Sequence, residues 1–321
     1  MQRILAVAMG AGPKHGDSGV FRDIIGNKNQ QVQVRPYVTG LIKGLEARGL
    51  KPGQDFEIDY ATCEPRTLKP IVQQAIGEHD AIFAMSTSAV KAAMAISKTI
   101  PIVFPSISDP IKDGLMKSVA PPGVNATGVR PMRSQTIDDC LELFKVTVPS
   151  LKKVYGLHKK NYIPATRAMK VLKAVAKRCG VQFKSTEVSS HKAIADALAK
   201  IAKTEKPGQA GVLVMPDDLV LSASRMVAQS GLDLKIPTFF PTTDWVRSQS
   251  PSALGGYGVP QVACGEAAAA YMYKVLKDGA SPKDLPVKRI GGFEWAVNRQ
   301  VARAIGLEIP NSVVKAADRV V

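Results

Sequence analysis

Apolar and polar residues alternate along this chain with two different periods that follow one another in regular order. Short apolar runs are typical of buried strands, and stretches with apolar residues every three or four positions are typical of amphipathic helices. The predicted strands are Ile4–Ala8, Phe56–Tyr60, Ala81–Ala84, Ile102–Pro105, Lys153–Leu157, Gln182–Val188, Gly211–Met215 and Thr238–Pro241. The predicted helices are Pro36–Arg48, Leu68–Gly77, Ala89–Ser97, Ile137–Val146, Pro164–Cys179, His191–Lys203 and Leu219–Ser230. Apolar strands separated by helices indicate an α/β fold with parallel sheets covered on both faces.

The strand–helix cycle runs four times, pauses, and runs four times again. The pause is Pro121–Pro131, which is rich in Pro and Gly, and a second joint is predicted at Leu254–Pro260. Beyond that joint a helix pattern covers Val262–Lys277, and the sequence FEWAVNRQ predicts a late strand. We therefore predict two Rossmann-like lobes with parallel sheets, joined by several crossovers of the chain.

The joints divide the chain between the lobes. Lobe 1 is expected to hold residues 1–129 and about 258–290, and lobe 2 is expected to hold residues 130–257 and about 291–321. In open α/β sheets ligands lie beyond the carboxyl ends of the strands, so two facing lobes would bring those ends to one cleft.

A polar segment, Gly10–Arg35, stands where a short loop would be usual. Loops of this length are commonly functional or disordered. Because it follows the first strand, we expect it at the mouth of the cleft, and its role stays open.

The formal net charge of +16 is the unusual feature of the composition. No acidic residue lies between Glu142 and Glu187, where lysine and arginine are frequent. A nucleic-acid surface is one interpretation. However, Lys170, Lys173 and Lys177 have the spacing of a solvated helix face, and no stacking aromatics lie between them. We predict a solvated basic face and no nucleic-acid partner, although its field would attract anionic small molecules or an anionic membrane surface.

Cysteines and targeting segments add little to this picture. Four widely spaced cysteines without a CxxC pair make a zinc site unfavourable, and buried thiols are favoured over a single long-range disulfide, which stays open. No apolar run approaches the ~20 residues of a membrane span. The opening MQRILAVAMG has some features of a signal peptide, but we interpret it as the first strand because no small-residue cleavage site follows.

Motifs that carry catalysis are missing from the sequence. Gly10 and Gly12 follow a strand, but Pro13 comes next and the third glycine of a dinucleotide fingerprint is absent. The sequence contains no Walker loop, no HExxH and no G-x-S-x-G elbow. The histidines are solitary and are more typical of surface or packing positions: His15, His79, His158 and His191. We predict no catalytic residue, no metal and no cofactor.

Three hydroxyls, Ser86, Thr87 and Ser88, lie where a predicted strand meets a predicted helix. An ordinary N-cap contributes ~1 kcal/mol and would account for one of them. The N–H groups and the positive dipole end of the helix suit a carboxylate. We therefore favour a ligand site over a plain cap.

Similar polar residues follow other predicted strands. Each group alone is typical of capping turns, but together they place hydroxyls in one lobe and carboxylates with an aromatic ring in the other. This complement suits a small zwitterionic or carboxylated ligand, which could carry a ring. The residues are Ser106, Ser108, Asp109, Asp217, Asp218, Thr242, Thr243, Asp244 and Trp245.

At these residues the sequence resembles a known family, the substrate-binding proteins of ABC importers with the type I periplasmic-binding fold. The resemblance is to the branch that includes tryptophan- and tyrosine-binding members, and it covers nearly the whole chain after Val38. Among the matching stretches are DAIFAMSTSAVKAAMAISKTIPIVFPSISDPIKDGLMKSVAPPGVNATGV, VLVMPDDLVLSA and IPTFFPTTDW.

The resemblance implies an exported receptor that closes two lobes on a small solute and delivers it to an ABC permease in the membrane. We expect a monomer in the periplasm, or one tethered to the outer face of the membrane, with its leader peptide absent from this sequence. It also implies solute contacts by Ser86, Thr87, Ser88, Ser106, Asp109, Asp217, Thr243 and Tyr257, to which we add Asp218 and Trp245.

Two other functions stay open on the same fold. A ligand sensor or regulator is one, although no helix-turn-helix pattern precedes the first strand. An α/β enzyme that uses the cleft is the other, and it would need a base paired with a nucleophile near Ser86.

Overall fold

The computed structural model describes residues 1–9, 19–22, 34–63, 67–75, 77–131 and 136–321. Most of the Gly10–Arg35 segment therefore lies outside the described residues, and its expected place and role stay a prediction. The chain forms two compact units. Unit 1 is Met1–Met132 with Gln261–Gly291, and unit 2 is Arg133–Pro260 with Gly292–Val321.

Strands and helices alternate along most of the chain. The first part of unit 1 contains β1 (Gln2–Met9), β2 (Gly19–Phe21), α1 (Pro36–Glu46), β3 (Phe56–Cys63), α2 (Leu68–Ala75), β4 (Ala81–Ala84), α3 (Thr87–Ile96), β5 (Ile102–Phe104) and β6 (Ala126–Pro131). The first part of unit 2 contains α4 (Thr136–Thr147), β7 (Lys153–His158), α5 (Ile163–Arg178), β8 (Gln182–Glu187), α6 (His191–Thr204), β9 (Ala210–Val214), α7 (Asp218–Ser222), α8 (Ser224–Asp233), β10 (Thr238–Phe240) and β11 (Gly255–Gly258).

The chain then returns to each unit in turn. It adds α9 (Gln261–Lys277) and β12 (Lys288–Ile290) to unit 1. It then adds β13 (Glu294–Val297), α10 (Arg299–Ala304), α11 (Asn311–Ala316) and β14 (Arg319–Val320) to unit 2. The sequence predicted two lobes that close on a ligand. The residue ranges given for those lobes, and their closing, stay a prediction.

Each unit is built on one sheet whose strands are mostly parallel. The order in unit 1 is β12-β6-β5-β4-β1-β3-β2, in which only β2 pairs antiparallel among the described strands. The order in unit 2 is β14-β13-β11-β10-β9-β7-β8, in which β13 runs antiparallel to β11. The predicted α/β class with parallel sheets is confirmed.

Successive residues of the central strands enter two different hydrophobic cores. In β1, Ile4 and Ala6 pack on one face of the sheet, and Leu5 and Val7 pack on the other. Because side chains of a strand alternate between faces and both faces are covered by helices, these strands are apolar throughout. This is why short apolar runs were sufficient to locate them.

The irregular segment predicted at Pro121–Pro131 was wrong over its second half. Ala126–Pro131 forms β6, which pairs with β5 and with β12. Gly128 has a φ of +152°, and a Cβ there would lie 2.0 Å from the carbonyl oxygen of Phe104. Gly128 and Pro131, which suggested an irregular segment, are therefore parts of a strand. Glycine is needed at position 128 because Phe104 of the neighbouring strand β5 approaches its backbone closely.

The predicted helix Leu219–Ser230 was also wrong as a single element, because α7 ends at Ser222 and α8 begins at Ser224. The Ser222 and Ser224 hydroxyls donate to the carbonyls of Leu219 and Leu221, each at 2.7 Å. Serine hydroxyls that bond to nearby carbonyls compete with helical hydrogen bonding, which accounts for the break.

Close packing of α9 on α1 joins the returning chain to unit 1. Gly40 and Gly44 of α1 face α9, and Gly265 of α9 faces α1. A Cβ at Gly40 would lie 2.0 Å from the carbonyl oxygen of Val262, and one at Gly265 would lie 2.1 Å from that of Tyr37. The absence of side chains at these positions lets the two backbones touch.

We expect Gly40→Ala to destabilise the protein by roughly 1–3 kcal/mol, because the added methyl overpacks a backbone contact. This is the reverse of the ordinary effect in a helix, where alanine is favoured over glycine by ~1 kcal/mol. Urea unfolding followed by circular dichroism measures the change. The control is Gly291→Ala, where no atom lies within 4 Å of the added methyl. Equal stability of the two variants would contradict the close contact.

Candidate functional site

The sheet of unit 1 has a topological switch point beside β1. Strand β1 lies between β3 and β4, so the chain moves to one side of β1 first and to the other side later. At such a point the loops after two neighbouring strands separate and leave a crevice at their carboxyl ends, where ligands of open α/β sheets lie. Ser86, Thr87 and Ser88 follow β4 directly and therefore lie at this edge.

The three hydroxyls have different roles. Ser86 is the N-cap of α3, and its Oγ accepts a hydrogen bond from the N–H of Ala89 at 3.1 Å. Thr87 is buried, and its Oγ1 donates to Oδ2 of Asp113 at 3.3 Å. Ser88 is half-buried on the first turn of the helix. One hydroxyl therefore serves the cap, as an ordinary helix start requires, and the solute contacts expected of all three stay a prediction.

The loop after β5 supports Thr87 from the side. Ser106 is half-buried there, and Oδ1 of Asp109 accepts a hydrogen bond from the N–H of Lys112 at 3.1 Å. The carbonyl of Asp109 accepts from the N–H of Asp113 at 2.8 Å. This turn holds the buried Asp113 carboxylate against Thr87, so Asp109 orders the loop whether or not it meets a solute.

The sheet of unit 2 has the corresponding switch point beside β7, which lies between β8 and β9. The loop after β7 begins with Lys159, and the loop after β9 contains Asp217 and Asp218. Sequence reasoning identified the two acids but missed Lys159, which was counted with the surrounding basic residues. Its position directly after a predicted strand was the available indication.

Asp217 is an N-cap that is fully buried. Its Oδ1 accepts hydrogen bonds from the N–H groups of Leu219 at 3.0 Å and Val220 at 3.3 Å, and its Oδ2 accepts one from the N–H of Lys159 at 2.8 Å. Burial raises the pKa of the Asp217 carboxyl, and these backbone bonds act in the opposite direction. Asp217 thus joins the loops after β7 and β9, and a contact of its own with solute stays a prediction.

Asp218 forms a buried ion pair. Its Oδ1 lies 2.7 Å from Nζ of Lys159, whose ammonium group also lies 4.7 Å from the ring centre of Tyr162. An ion pair that is stacked on an aromatic ring is fixed in position more firmly than an exposed one.

Thr243, after β10, belongs to a closed ring of hydrogen bonds. Its Oγ1 donates to Oε2 of Glu294 at 2.5 Å, and Oε1 of Glu294 accepts from Nε of Arg319 at 2.6 Å. Nη2 of Arg319 donates to the Thr243 carbonyl at 2.9 Å. Glu294 and Arg319 come from β13 and β14, which sequence reasoning could not connect with Thr243. The ring fixes the loop, and the solute contact of Thr243 stays a prediction.

The two predicted aromatic contacts are half-buried in unit 2. Trp245 packs against Phe240 with ring centres 6.1 Å apart, and the Arg247 guanidinium lies 4.4 Å above its ring. Tyr257 stacks on Phe293 at 5.6 Å, and burial raises the pKa of its hydroxyl. Each ring packs against other side chains of unit 2, and the contact of either ring with a solute stays a prediction.

Cysteines and histidines have structural roles among the described residues. None of the four cysteines, all of which lie within the described ranges, is in a disulfide, and burial raises the pKa of Cys63 to about 12. His158 and His191 lie 2.8 Å from the hydroxyls of Ser185 and Ser222, respectively. His79 lies 3.0 Å from the buried Asp59 carboxylate. His15 lies outside the described residues.

Two doubly wound units with polar residues at their switch points define the class of the type I periplasmic-binding fold. Comparison with known proteins agrees: residues 33–321 match the family model of the ABC transporter substrate binding proteins. The chain belongs to this family, whose members bind a small molecule for a transporter and act outside the cytoplasm. In the part of the chain that the structure describes, no helix is both long and apolar enough to cross a membrane.

Individual relatives agree with the family. A tyrosine-binding protein of Clostridioides difficile is 28% identical over 273 residues, which are 84% of this chain and 76% of that protein. A conserved domain protein from Vibrio cholerae is similar in structure, with a TM-score of 0.79, 24% identity and all of both chains covered. An ABC domain from Streptococcus pneumoniae in complex with L-Trp has a TM-score of 0.76 and 22% identity over 99% of this chain and 100% of that chain. The two structures establish likeness of fold.

We expect Asp217→Ala to destabilise the protein by about 2–4 kcal/mol, because it removes a cap and leaves three backbone N–H groups without their acceptor. Urea unfolding measures this loss. The control is Asp196→Ala, which removes an exposed partner of Lys192 and should cost no more than about 0.5 kcal/mol. A similar loss in both variants would show that the Asp217 bonds contribute little.

Proposed function

We propose that this protein is the solute receptor of an ABC importer and that its ligand is a small carboxylated molecule, amino-acid-like or aromatic. It would deliver this solute to a membrane permease from the periplasm or from a tether on the outer face of the membrane. The closing of two lobes on the solute is part of the proposal.

The observation that carries the proposal is the position of Thr87 and Ser88. They stand on the first turn of α3, at the end of β4 beside the switch point of unit 1. The first turn of a helix has N–H groups without intrahelical acceptors and a positive dipole end. Because the Thr87 hydroxyl donates to Asp113, these N–H groups and the half-buried Ser88 hydroxyl are the donors that would favour a carboxylate over a neutral or cationic group.

The proposed preference for a ligand that carries an aromatic ring is supported by the aromatic residues of unit 2. Tyr257 with Phe293, and Trp245, are half-buried, so part of each residue is exposed. Aromatic faces stack on planar ligands as well as on one another. The relative from Clostridioides difficile that is named a tyrosine-binding protein supports the same preference.

Three matched probes test the ligand class. L-Tyrosine and 3-(4-hydroxyphenyl)propanoate carry a carboxylate, whereas tyramine has the same ring and no carboxylate. Titration calorimetry should give binding of a carboxylated probe that is at least tenfold tighter than that of tyramine. Binding of tyramine as tight as that of both acids would contradict the proposal, and so would binding of none of the three.

Removing the hydroxyls of Thr87 and Ser88 tests where the carboxylate of the ligand binds. Thr87→Val combined with Ser88→Ala should weaken binding of the carboxylated probes at least tenfold, which corresponds to ~1.4 kcal/mol. The control is Ser190→Ala, which removes the N-cap hydroxyl of α6 and should leave affinity unchanged. Unchanged affinity in the double variant would mean that the carboxylate binds elsewhere.

A further inference from the structure

At the switch point of unit 2, one lysine shields two acidic side chains. Asp217 has no exposed surface, and the side chain of Asp218 is 1% exposed. The side chain of Lys159 is 26% exposed and lies over the Asp218 carboxylate, with Nζ 2.7 Å from Oδ1. A molecule that approaches this edge therefore meets the ammonium group of Lys159 before it meets a carboxylate.

The position of Lys159 is fixed by contacts at both ends of the residue. Its backbone N–H donates to Oδ2 of Asp217 at 2.8 Å, and its Nζ lies 4.7 Å from the ring centre of Tyr162. Tyr162 precedes α5 as its N-cap residue, so the ring belongs to the same short loop as the lysine. Backbone, ion pair and ring together hold the ammonium group at the edge of the sheet.

This arrangement changes what the edge can recognise. A ligand ammonium group would be repelled by Lys159 and would reach Asp218 only by displacing it, since like charges at contact distance repel. An ammonium group has three N–H donors, so a ligand carboxylate or other acceptor would gain a charge-assisted hydrogen bond from one that Asp218 does not accept.

We propose that Lys159 is a specificity-determining residue that selects carboxylic acids without an ammonium group over the corresponding amino acids. This inference rests on the proposed function, because it takes the switch point of unit 2 as part of the solute site.

The test compares two probes that differ only in the α-ammonium group, L-tyrosine and 3-(4-hydroxyphenyl)propanoate. The ratio of their affinities, amino acid to deaminated acid, is measured by titration calorimetry. We expect a ratio below 1 for the unaltered protein. In Lys159→Ala the Asp218 carboxylate becomes reachable, so the ratio should rise at least tenfold.

Two matched variants separate specificity from general effects of charge. Lys159→Arg keeps the positive charge and should keep the ratio of the unaltered protein. Lys192→Ala removes the lysine of an exposed ion pair with Asp196 in the same unit and should also leave the ratio unchanged. A shift in Lys192→Ala equal to that in Lys159→Ala would overturn the proposal.

Lys159→Ala leaves a buried carboxylate without its cation, which can prevent folding. Lys159→Ala combined with Asp218→Asn removes both charges and avoids that problem. It should bind the deaminated acid at least tenfold more weakly, with a ratio that does not rise. Unchanged affinity for the deaminated acid would overturn the proposal even if the single variant does not fold.

The outcomes distinguish this inference from the function on which it rests. If both acids bind and the ratio for the unaltered protein is 1 or more, only the role of Lys159 is wrong. If neither acid binds, the proposed function fails and the inference fails with it.

Discussion

Parallel pairing of the central strands is the constraint on which the candidate site depends. In unit 1, β1 pairs in register with β3 and β4, and in unit 2, β7 pairs with β8 and β9. Parallel strands bring their carboxyl ends to one edge of a sheet. Residues far apart in the sequence, such as Lys159 and Asp217, become neighbours for this reason alone.

Several polar side chains at these edges hold the loops in place. Buried carboxylates are costly unless they are bonded, and each one here accepts bonds from nearby groups. Asp217 caps α7, Asp113 accepts from Thr87, and Glu294 joins Thr243 to Arg319. Lys159, whose side chain is 26% exposed, is one of the charged groups that the edge of unit 2 presents.

Several elements were predictable because their cause is local. The strands β1, β4 and β9 are apolar on both faces, and α5 and α6 have amphipathic patterns. The predicted ends of each element therefore lie within a few residues of the observed ends. Strand β6 was missed because Thr127 and Gly128 give it no apolar run. The Thr127 hydroxyl donates to the carbonyl of Leu285, and that partner is more than a hundred residues away in sequence.

The sequence by itself determined the α/β class, the two successive cycles of strands and helices, and the polar groups that follow the strands. These depend on periodicity and on residue type at strand ends, which are properties of short segments. Only the tertiary structure decided which of those groups have protein partners. Lys159 and Asp218 come together only in the folded protein, because an ion pair depends on distance in space and not on separation along the chain.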